Sequence, residues 1–110
     1  MMHPNEIVDA VCGVFHVSRE DLLSDKRQRM VSEPRKIAAY LIHNRSFLGY
    51  KQIAEMFNRK DHTTCMYWVK TVKLDIENRP WIAQLVSEVE QTLGPIAAEP
   101  EPNPEPTPAP

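Results

Sequence analysis

Glycine, cysteine and long apolar runs are all scarce in this sequence of 110 residues. The three glycines, Gly13, Gly49 and Gly94, lie far apart, which excludes a glycine-rich loop that would cradle a nucleotide phosphate. The two cysteines, Cys12 and Cys65, form no framework of spaced pairs, so we expect neither disulfides nor a zinc site. No apolar run approaches the ~18 residues that cross a bilayer, which excludes a transmembrane segment. We therefore expect no metal, nucleotide or other cofactor.

The residue patterns of an enzyme or of a secreted protein are also missing. Cys65 lies three residues after His62 but would face the other side of a helix, so no nucleophile shares a pocket with a base, and we expect no catalytic activity. The other histidines show no paired metal-ligand spacing. Near the start, Glu6 and Asp9 stand where a signal peptide needs basic residues and an unbroken apolar stretch, so we expect a cytoplasmic protein.

The net charge of −2 conceals an uneven distribution. Residues 26–73 contain 11 Lys and Arg against 3 Asp and Glu, a local charge of +8, whereas the segments on either side are acidic. One interpretation is a basic surface for a polyanion; the other is that lysine and arginine merely solvate the surfaces of helices.

The last sixteen residues, 95–110, differ from the rest in composition. They contain seven of the ten prolines, three glutamates and few apolar side chains. Proline removes N–H donors and disfavours helix in the preceding residue, so we expect a disordered, extended acidic tail that could dock another protein. The folded domain is predicted to be residues 1–94, with Gly94 as a helix C-cap followed by Pro95.

Apolar residues within 1–94 repeat at helical spacing, which predicts an all-α domain of five or six helices. Ser32-Glu33-Pro34 is typical of a helix start, and that helix should run to about Asn44. A short turn is predicted at Ser18, whose spacing to Asp21 is that of a capping box. The residues expected to face the core of the first, third and last helices are Ile7, Val11, Val14, Phe15, Ile37, Tyr40, Leu41, Ile82, Leu85 and Val89.

A helix-turn-helix is predicted between residues 50 and 76. Tyr50, Ile53, Ala54 and Phe57 occur at i, i+3, i+4 and i+7, which predicts a helix of two turns. A second helix would begin after Asp61, with Cys65, Trp68, Val69, Val72 and Ile76 on its apolar face. Two helices joined by about three residues are typical of this motif.

The outward face of the second helix carries no acidic side chain between His62 and Lys73. Such a face suits a polyanion, and the first turn of a recognition helix is where base edges are met. The alternative is structural: Asp61 as an N-cap, Thr63 and Thr64 as ordinary helix-start residues, and His62 as a surface side chain.

Ser24 to Leu41 (SDKRQRMVSEPRKIAAYL), together with Asp61-His62-Thr63-Thr64, resembles the C-terminal DNA-binding domain of the bacterial replication initiator family DnaA. The resemblance covers about residues 5–93. It implies binding, as a monomer, to double-stranded DNA at short AT-rich sites called DnaA boxes, with a role in initiation or regulation of replication and a nucleoid-associated location. It also implies that the helix-turn-helix enters the major groove and that a loop arginine enters the minor groove.

The resemblance implies a role for individual residues. Those matching base contacts are Arg27, in the minor groove, and Asp61, His62 and Thr63, in the major groove. Those matching contacts to the DNA backbone are Arg35, Lys36, Lys60 and Thr64. Further cations and one aromatic residue could add contacts: Arg29, Lys51, Arg59, Tyr67 and Lys70.

The sequence departs from the family at a few positions. Ala54 replaces a glycine, and Asn58-Arg59 replaces a glycine-containing turn, which raises the question of how that turn is shaped. Cys65 replaces the usual valine. The family's ATPase module has no counterpart in these 110 residues. An alternative function is a protein-interaction module, or a transcriptional regulator, that keeps the fold with weak DNA binding.

Overall fold

The computed structural model describes residues 3–94, and in this part of the chain six α-helices and no strand are found. The helices are α1 Pro4–Phe15, α2 Arg19–Leu22, α3 Arg29–Ser46, α4 Tyr50–Met56, α5 His62–Asn78 and α6 Pro80–Leu93. The predicted all-α fold is confirmed. No helix among these residues is long and apolar enough to span a bilayer.

The short helix α2 begins where the sequence indicates. Ser18 is its N-cap, and the Ser18 hydroxyl oxygen accepts a hydrogen bond from the Asp21 N–H at 3.0 Å. Arg19 then ties α2 back to α1, because its guanidinium donates to the Asp9 carboxylate at 2.7 Å and to the Asn5 side chain. These contacts hold α2 against α1, and the loop to α3 begins at the end of α2.

Helix α3 begins earlier than the sequence indicates. Its first residue is Arg29 rather than Ser32, Gln28 is its N-cap, and it extends to Ser46. Pro34 therefore lies inside the helix, where it cannot donate a hydrogen bond to the Met30 carbonyl. The expected early proline is thus in the second turn, not the first.

The core is one cluster shared by all six helices. Of the residues of α6 predicted to face the core, Leu85 is only half-buried, and Val86 (4% exposed) takes its place. Val14, Phe15, Tyr40, Tyr50 and Ile76 pack at the edge of the core. The buried members of the predicted set are Ile7, Val11, Ile37, Leu41, Ile53, Ala54, Phe57, Cys65, Trp68, Val69, Val72, Ile82 and Val89.

The turn between α4 and α5 adopts the conformation that a glycine would favour, without containing one. Asn58 has φ +58°, and asparagine is among the few non-glycine residues that tolerate this left-handed region. The Arg59 N–H donates to the Ala54 carbonyl at 2.8 Å and closes the turn. Ala54 itself is buried in the core. The helix-turn-helix therefore forms from α4 and α5 despite the departures at these positions.

The end of α6 is fixed from two directions. Gly94 has φ +86° and its N–H donates to the Glu90 carbonyl at 2.9 Å, which confirms the predicted C-cap. The buried Arg45 of α3 donates from Nη1 to the Gly94 carbonyl at 2.9 Å. The predicted disordered tail, residues 95–110, lies outside the described residues, and the domain boundary stays a prediction.

Candidate DNA-binding surface

The first turn of α5 is held by its N-cap, Asp61. Oδ1 of Asp61 accepts a hydrogen bond from the Thr63 N–H at 2.9 Å. Hydrogen bonds from Thr63, first from its side chain and then from its backbone, lower the pKa of the Asp61 carboxyl below its ordinary value. The structural role considered for Asp61 is therefore present, and its role as a base contact stays a prediction.

The two sides of α5 differ sharply in exposure. His62, Thr63, Tyr67 and Lys70 are exposed and Thr64 is half-buried, whereas Cys65, Trp68 and Val69 are buried. Met66, which the sequence analysis did not single out, is 43% exposed and joins Thr63, Tyr67, Lys70 and Tyr50 around a shallow depression. The outward face thus combines a cation, hydroxyl groups and an aromatic ring. This mixture suits a polyanion whose base edges can be contacted by side chains.

The loop of residues 23–28, named here the Arg27 loop, lies next to the start of α5. Arg27 is exposed, and it lines one depression together with Thr64 of α5 and Arg59 of the preceding turn. Asp25, Ser32, Arg35 and Trp68 complete the lining. Residues far apart in the sequence, from the two regions that carry the resemblance, therefore meet at one place on the surface.

A family sequence model described as the bacterial dnaA protein helix-turn-helix matches residues 4–72, from the start of α1 into α5. The chain belongs to this family. Three similar proteins are each described as chromosomal replication initiator protein DnaA. That of Aquifex aeolicus is 37% identical over 86 residues, covering 78% of this chain and 22% of the relative. That of Picosynechococcus is 34% identical over 90 residues, covering 82% of this chain and 20% of the relative. That of Sphingopyxis alaskensis is 36% identical over 69 residues, covering 63% of this chain and 15% of the relative.

The chain thus spans about a fifth of the length of these DnaA relatives. The matched region includes both helices of the motif up to Val72 and every residue assigned a DNA contact by the resemblance. Family membership confirms the resemblance seen in the sequence.

Arg35 lies in a different environment from that expected of a residue that contacts the DNA backbone. It is 3% exposed, and its guanidinium donates to three main-chain carbonyls: Leu22 at 2.9 Å, Lys26 at 2.8 Å and Asp21 at 3.2 Å. Desolvation by burial, followed by the nearby positive charge of Arg59, lowers the pKa of Arg35. These hydrogen bonds join the end of α2 and the Arg27 loop to α3, an internal role that the sequence did not predict, and the expected contact of Arg35 with the DNA backbone stays a prediction.

Arg59 also makes contacts within the protein. Nη1 donates to the Phe57 carbonyl and Nη2 to the Ser24 carbonyl, both at 3.3 Å. The guanidinium carbon lies 5.4 Å from the centroid of the Trp68 ring, within cation–π distance. Arg59 is half-buried, in contrast to the exposed Lys60 beside it.

The remaining predicted contacts lie at different places on the domain. Lys36 is half-buried and, with Arg29, lines a separate pocket between α3, α5 and α6. Arg29 is exposed and forms an ion pair with Glu33 at 2.8 Å. Lys51 is exposed on α4. The structure therefore groups Arg27, Arg59 and Thr64 in one depression and places Lys36 and Arg29 in another.

The two cysteines in residues 3–94 are free thiols: Cys12 is half-buried and Cys65 is buried. No group of three or more His, Cys, Asp or Glu side chains in this range could hold a metal ion. Burial raises the pKa of the Cys65 thiol to about 11, so the thiol is protonated at neutral pH and is a poor nucleophile. Cys65 packs in the core, as its apolar register predicts.

Proposed function

We propose that this chain binds double-stranded DNA in a sequence-specific manner at AT-rich sites resembling DnaA boxes, in the initiation or regulation of DNA replication. The observation that carries this proposal is the single depression shared by Arg27 and Thr64. It allows a loop cation and the start of a recognition helix to face the same duplex. The printed names of the relatives, chromosomal replication initiator proteins, support the setting in replication.

In the proposed complex the first turn of α5 enters the major groove. The His62 ring can donate a hydrogen bond to guanine N7 or O6, and the Thr63 methyl group can pack on a thymine methyl. The Asp61 carboxylate can accept from the cytosine N4 amine while it caps the helix. All three side chains are exposed, as these contacts require.

Arg27 would enter the adjacent minor groove, where narrow AT-rich DNA concentrates negative potential. Thr64 and Lys60 would contact phosphates at the start of α5, and Tyr67 and Lys70 would continue that contact along its exposed face. Lys36 would contact a phosphate from the neighbouring pocket. The expected contact of Arg35 with the DNA backbone stays a prediction, separate from these contacts.

We also propose the simplest assembly that these contacts allow: one domain on one site, in a cytoplasmic, nucleoid-associated protein. The proposed contacts come from one copy of the chain, and none requires a cofactor. The proposed activity of these 110 residues is binding, without catalysis or nucleotide hydrolysis.

Fluorescence anisotropy with two labelled duplexes tests the proposal. One duplex contains a DnaA box and the other a scrambled sequence of the same composition, each measured at about 0.05 M and about 0.2 M salt. We expect the box duplex to bind roughly a thousandfold more tightly, near the low end for sequence-specific proteins. Both complexes should weaken as salt rises, because phosphate contacts release counterions. Equal affinity for the two duplexes would contradict sequence-specific binding.

One observation favours the second candidate, a protein-interaction module. Met30 (80% exposed) and Trp81 (58% exposed) flank a depression that also contains the apolar Phe15 and Pro34 and the charged Arg29 and Glu33. Exposed large apolar side chains that cluster are typical of protein-binding surfaces. Absence of measurable binding to either duplex at low salt would favour this candidate over DNA recognition.

A further inference from the structure

The guanidinium of Arg59 joins two parts of the chain that both belong to the proposed DNA-binding surface. Nη2 donates to the carbonyl of Ser24, in the Arg27 loop, and Nη1 donates to the carbonyl of Phe57, at the end of α4. The same group lies over the ring of Trp68, a buried residue of α5. One side chain therefore contacts the Arg27 loop, the turn and the recognition helix.

The Arg27 loop is held by arginines from two sides. From α3, Arg35 donates to the Lys26 carbonyl inside the loop and to the carbonyls of Asp21 and Leu22 at the end of α2, where the loop begins. From the turn before α5, Arg59 donates to the carbonyl of Ser24. Arg35 joins the loop to α3, whereas Arg59 joins it to the helix that carries His62 and Thr63.

The positive charges of Arg35 and Arg59 do not by themselves favour the placement of both side chains beside the Arg27 loop. The positive charge of Arg59 is one of the causes that lower the pKa of Arg35, so the two cations destabilise each other. Carbonyl acceptors and the Trp68 ring must offset this repulsion. A guanidinium suits this position because its planar fork can donate to two carbonyls while it stacks on a ring, which an ammonium group cannot do.

We propose that Arg59 is a positioning residue that fixes the Arg27 loop relative to the first turn of α5, so that the minor-groove and major-groove contacts are made in one register. The proposal rests on the proposed DNA binding. Fixing the loop before binding lowers the conformational entropy that the complex must lose, which strengthens the contact made by Arg27. Arg59 then contributes to affinity through Arg27 rather than through a phosphate of its own.

The competing explanation is that Arg59 contacts a phosphate directly, which is one form of the additional DNA contact predicted for this residue. The two explanations differ in what they require: a phosphate contact requires positive charge, whereas positioning requires the guanidinium fork. Arg59→Lys keeps the charge and removes the fork. Lys60→Gln is the matched control, because it removes one positive charge from the exposed neighbouring residue.

A double-mutant cycle on the box duplex tests the proposal. Arg27→Ala is measured in the parent chain, in Arg59→Lys and in Lys60→Gln. We expect Arg27→Ala to weaken binding about tenfold or more in the parent and in Lys60→Gln, but only about twofold in Arg59→Lys. The salt slope should be unchanged in Arg59→Lys and should flatten by about 0.9 in Lys60→Gln. The same loss from Arg27→Ala in all three backgrounds would overturn the proposal.

Limited proteolysis of the free protein gives a second measurement that needs no DNA. Trypsin can cut after Lys26, Arg27 and Arg29, which are all exposed. We expect cleavage at these sites to be several-fold faster in Arg59→Lys than in the parent and unchanged in Lys60→Gln, with melting temperatures within a few degrees of each other. Equal cleavage rates in Arg59→Lys and the parent would show that Arg59 does not fix the loop.

The two measurements separate failure of this proposal from failure of the proposed function. If the parent does not prefer the box duplex, sequence-specific binding is wrong, and faster proteolysis of Arg59→Lys would still show that Arg59 holds the loop. If the parent does prefer the box duplex but the cycle shows no coupling between residues 27 and 59, the positioning role is wrong while the proposed function stands.

Discussion

Substitution of the buried Arg35 by methionine tests whether this residue acts inside the protein or on DNA. Arg35→Met keeps an unbranched side chain of similar length but removes hydrogen bonds of 2.9, 2.8 and 3.2 Å to three carbonyls. A hydrogen bond to a charged group contributes about 1.5–3 kcal/mol, so three would sum to about 5–9 kcal/mol if they were independent. They share one guanidinium, however, and its removal also relieves desolvation and repulsion from Arg59.

We therefore expect Arg35→Met to lower the free energy of unfolding by about 2–4 kcal/mol. For a domain of this size, about 4–8 °C is lost per kcal/mol, so the melting temperature should fall by about 8–32 °C. Circular dichroism at the helical minimum measures this directly. Arg29→Met is the matched control: Arg29 lies on the same helix but its side chain is 79% exposed, and its surface ion pair with Glu33 contributes less than about 1 kcal/mol.

DNA binding, measured well below the melting temperature, completes the test. If Arg35 acts inside the protein, Arg35→Met should leave the slope of log affinity against log salt unchanged, although affinity falls as the Arg27 loop is released. A melting temperature within about 2 °C of the parent, combined with a slope flatter by about 0.9, would refute the reasoning from burial and restore a phosphate contact.

Three further predictions concern the exposed and half-buried site residues. His62→Ala should weaken binding to the box duplex by about 1–3 kcal/mol with little change on the scrambled duplex, as expected for a lost base contact; equal losses in anisotropy would make His62 a general affinity residue. Lys36→Gln should flatten the salt slope by about 0.9 without changing the melting temperature, and an unchanged slope would place Lys36 away from DNA. Asp61→Asn should be less sensitive to acid than the parent. Hydrogen bonds from Thr63 lower the pKa of Asp61, so the stabilisation by the Asp61 carboxylate is present above about pH 4 and is lost as pH falls through the folded-state pKa. Asparagine, in contrast, caps the helix at any pH. Parallel melting temperatures of the two proteins from about pH 6 to about pH 2 would contradict this.

Much of the fold could be predicted because most of its helices follow a regular apolar period. The stripes of α4 and α5, the capping Ser18 and the C-cap at Gly94 were all readable from local chemistry. The start of α3 could not be placed in this way. Proline is common in the first turn of a helix, so Pro34 suggested a later start. Only the backbone shows that Pro34 lies in the second turn, because the Ser32 N–H already donates to the Gln28 carbonyl at 2.8 Å.

The spacing of Arg35 in the sequence indicates a buried position, although its charge indicates an exposed one. Arg35, Ala38, Ile42 and Arg45 follow one another at spacings of three, four and three, which is the register of a buried helical face, and all four are buried. An arginine in that register was expected to face solvent because charged side chains are seldom fully buried. Its partners, two carbonyls at the end of α2 and one in the Arg27 loop, have no sequence pattern, so only the structure could identify them.

The separation of the two sides of α5 has a consequence for how this domain could change over evolution or in the laboratory. The core side, with Cys65, Trp68 and Val69, carries the packing, whereas the exposed side carries His62 and Met66. Substitutions on an exposed face usually alter stability by less than about 0.5 kcal/mol. A library randomised at the outward positions should therefore contain mostly folded members, and new site preferences could be selected from it without compensating changes in the core.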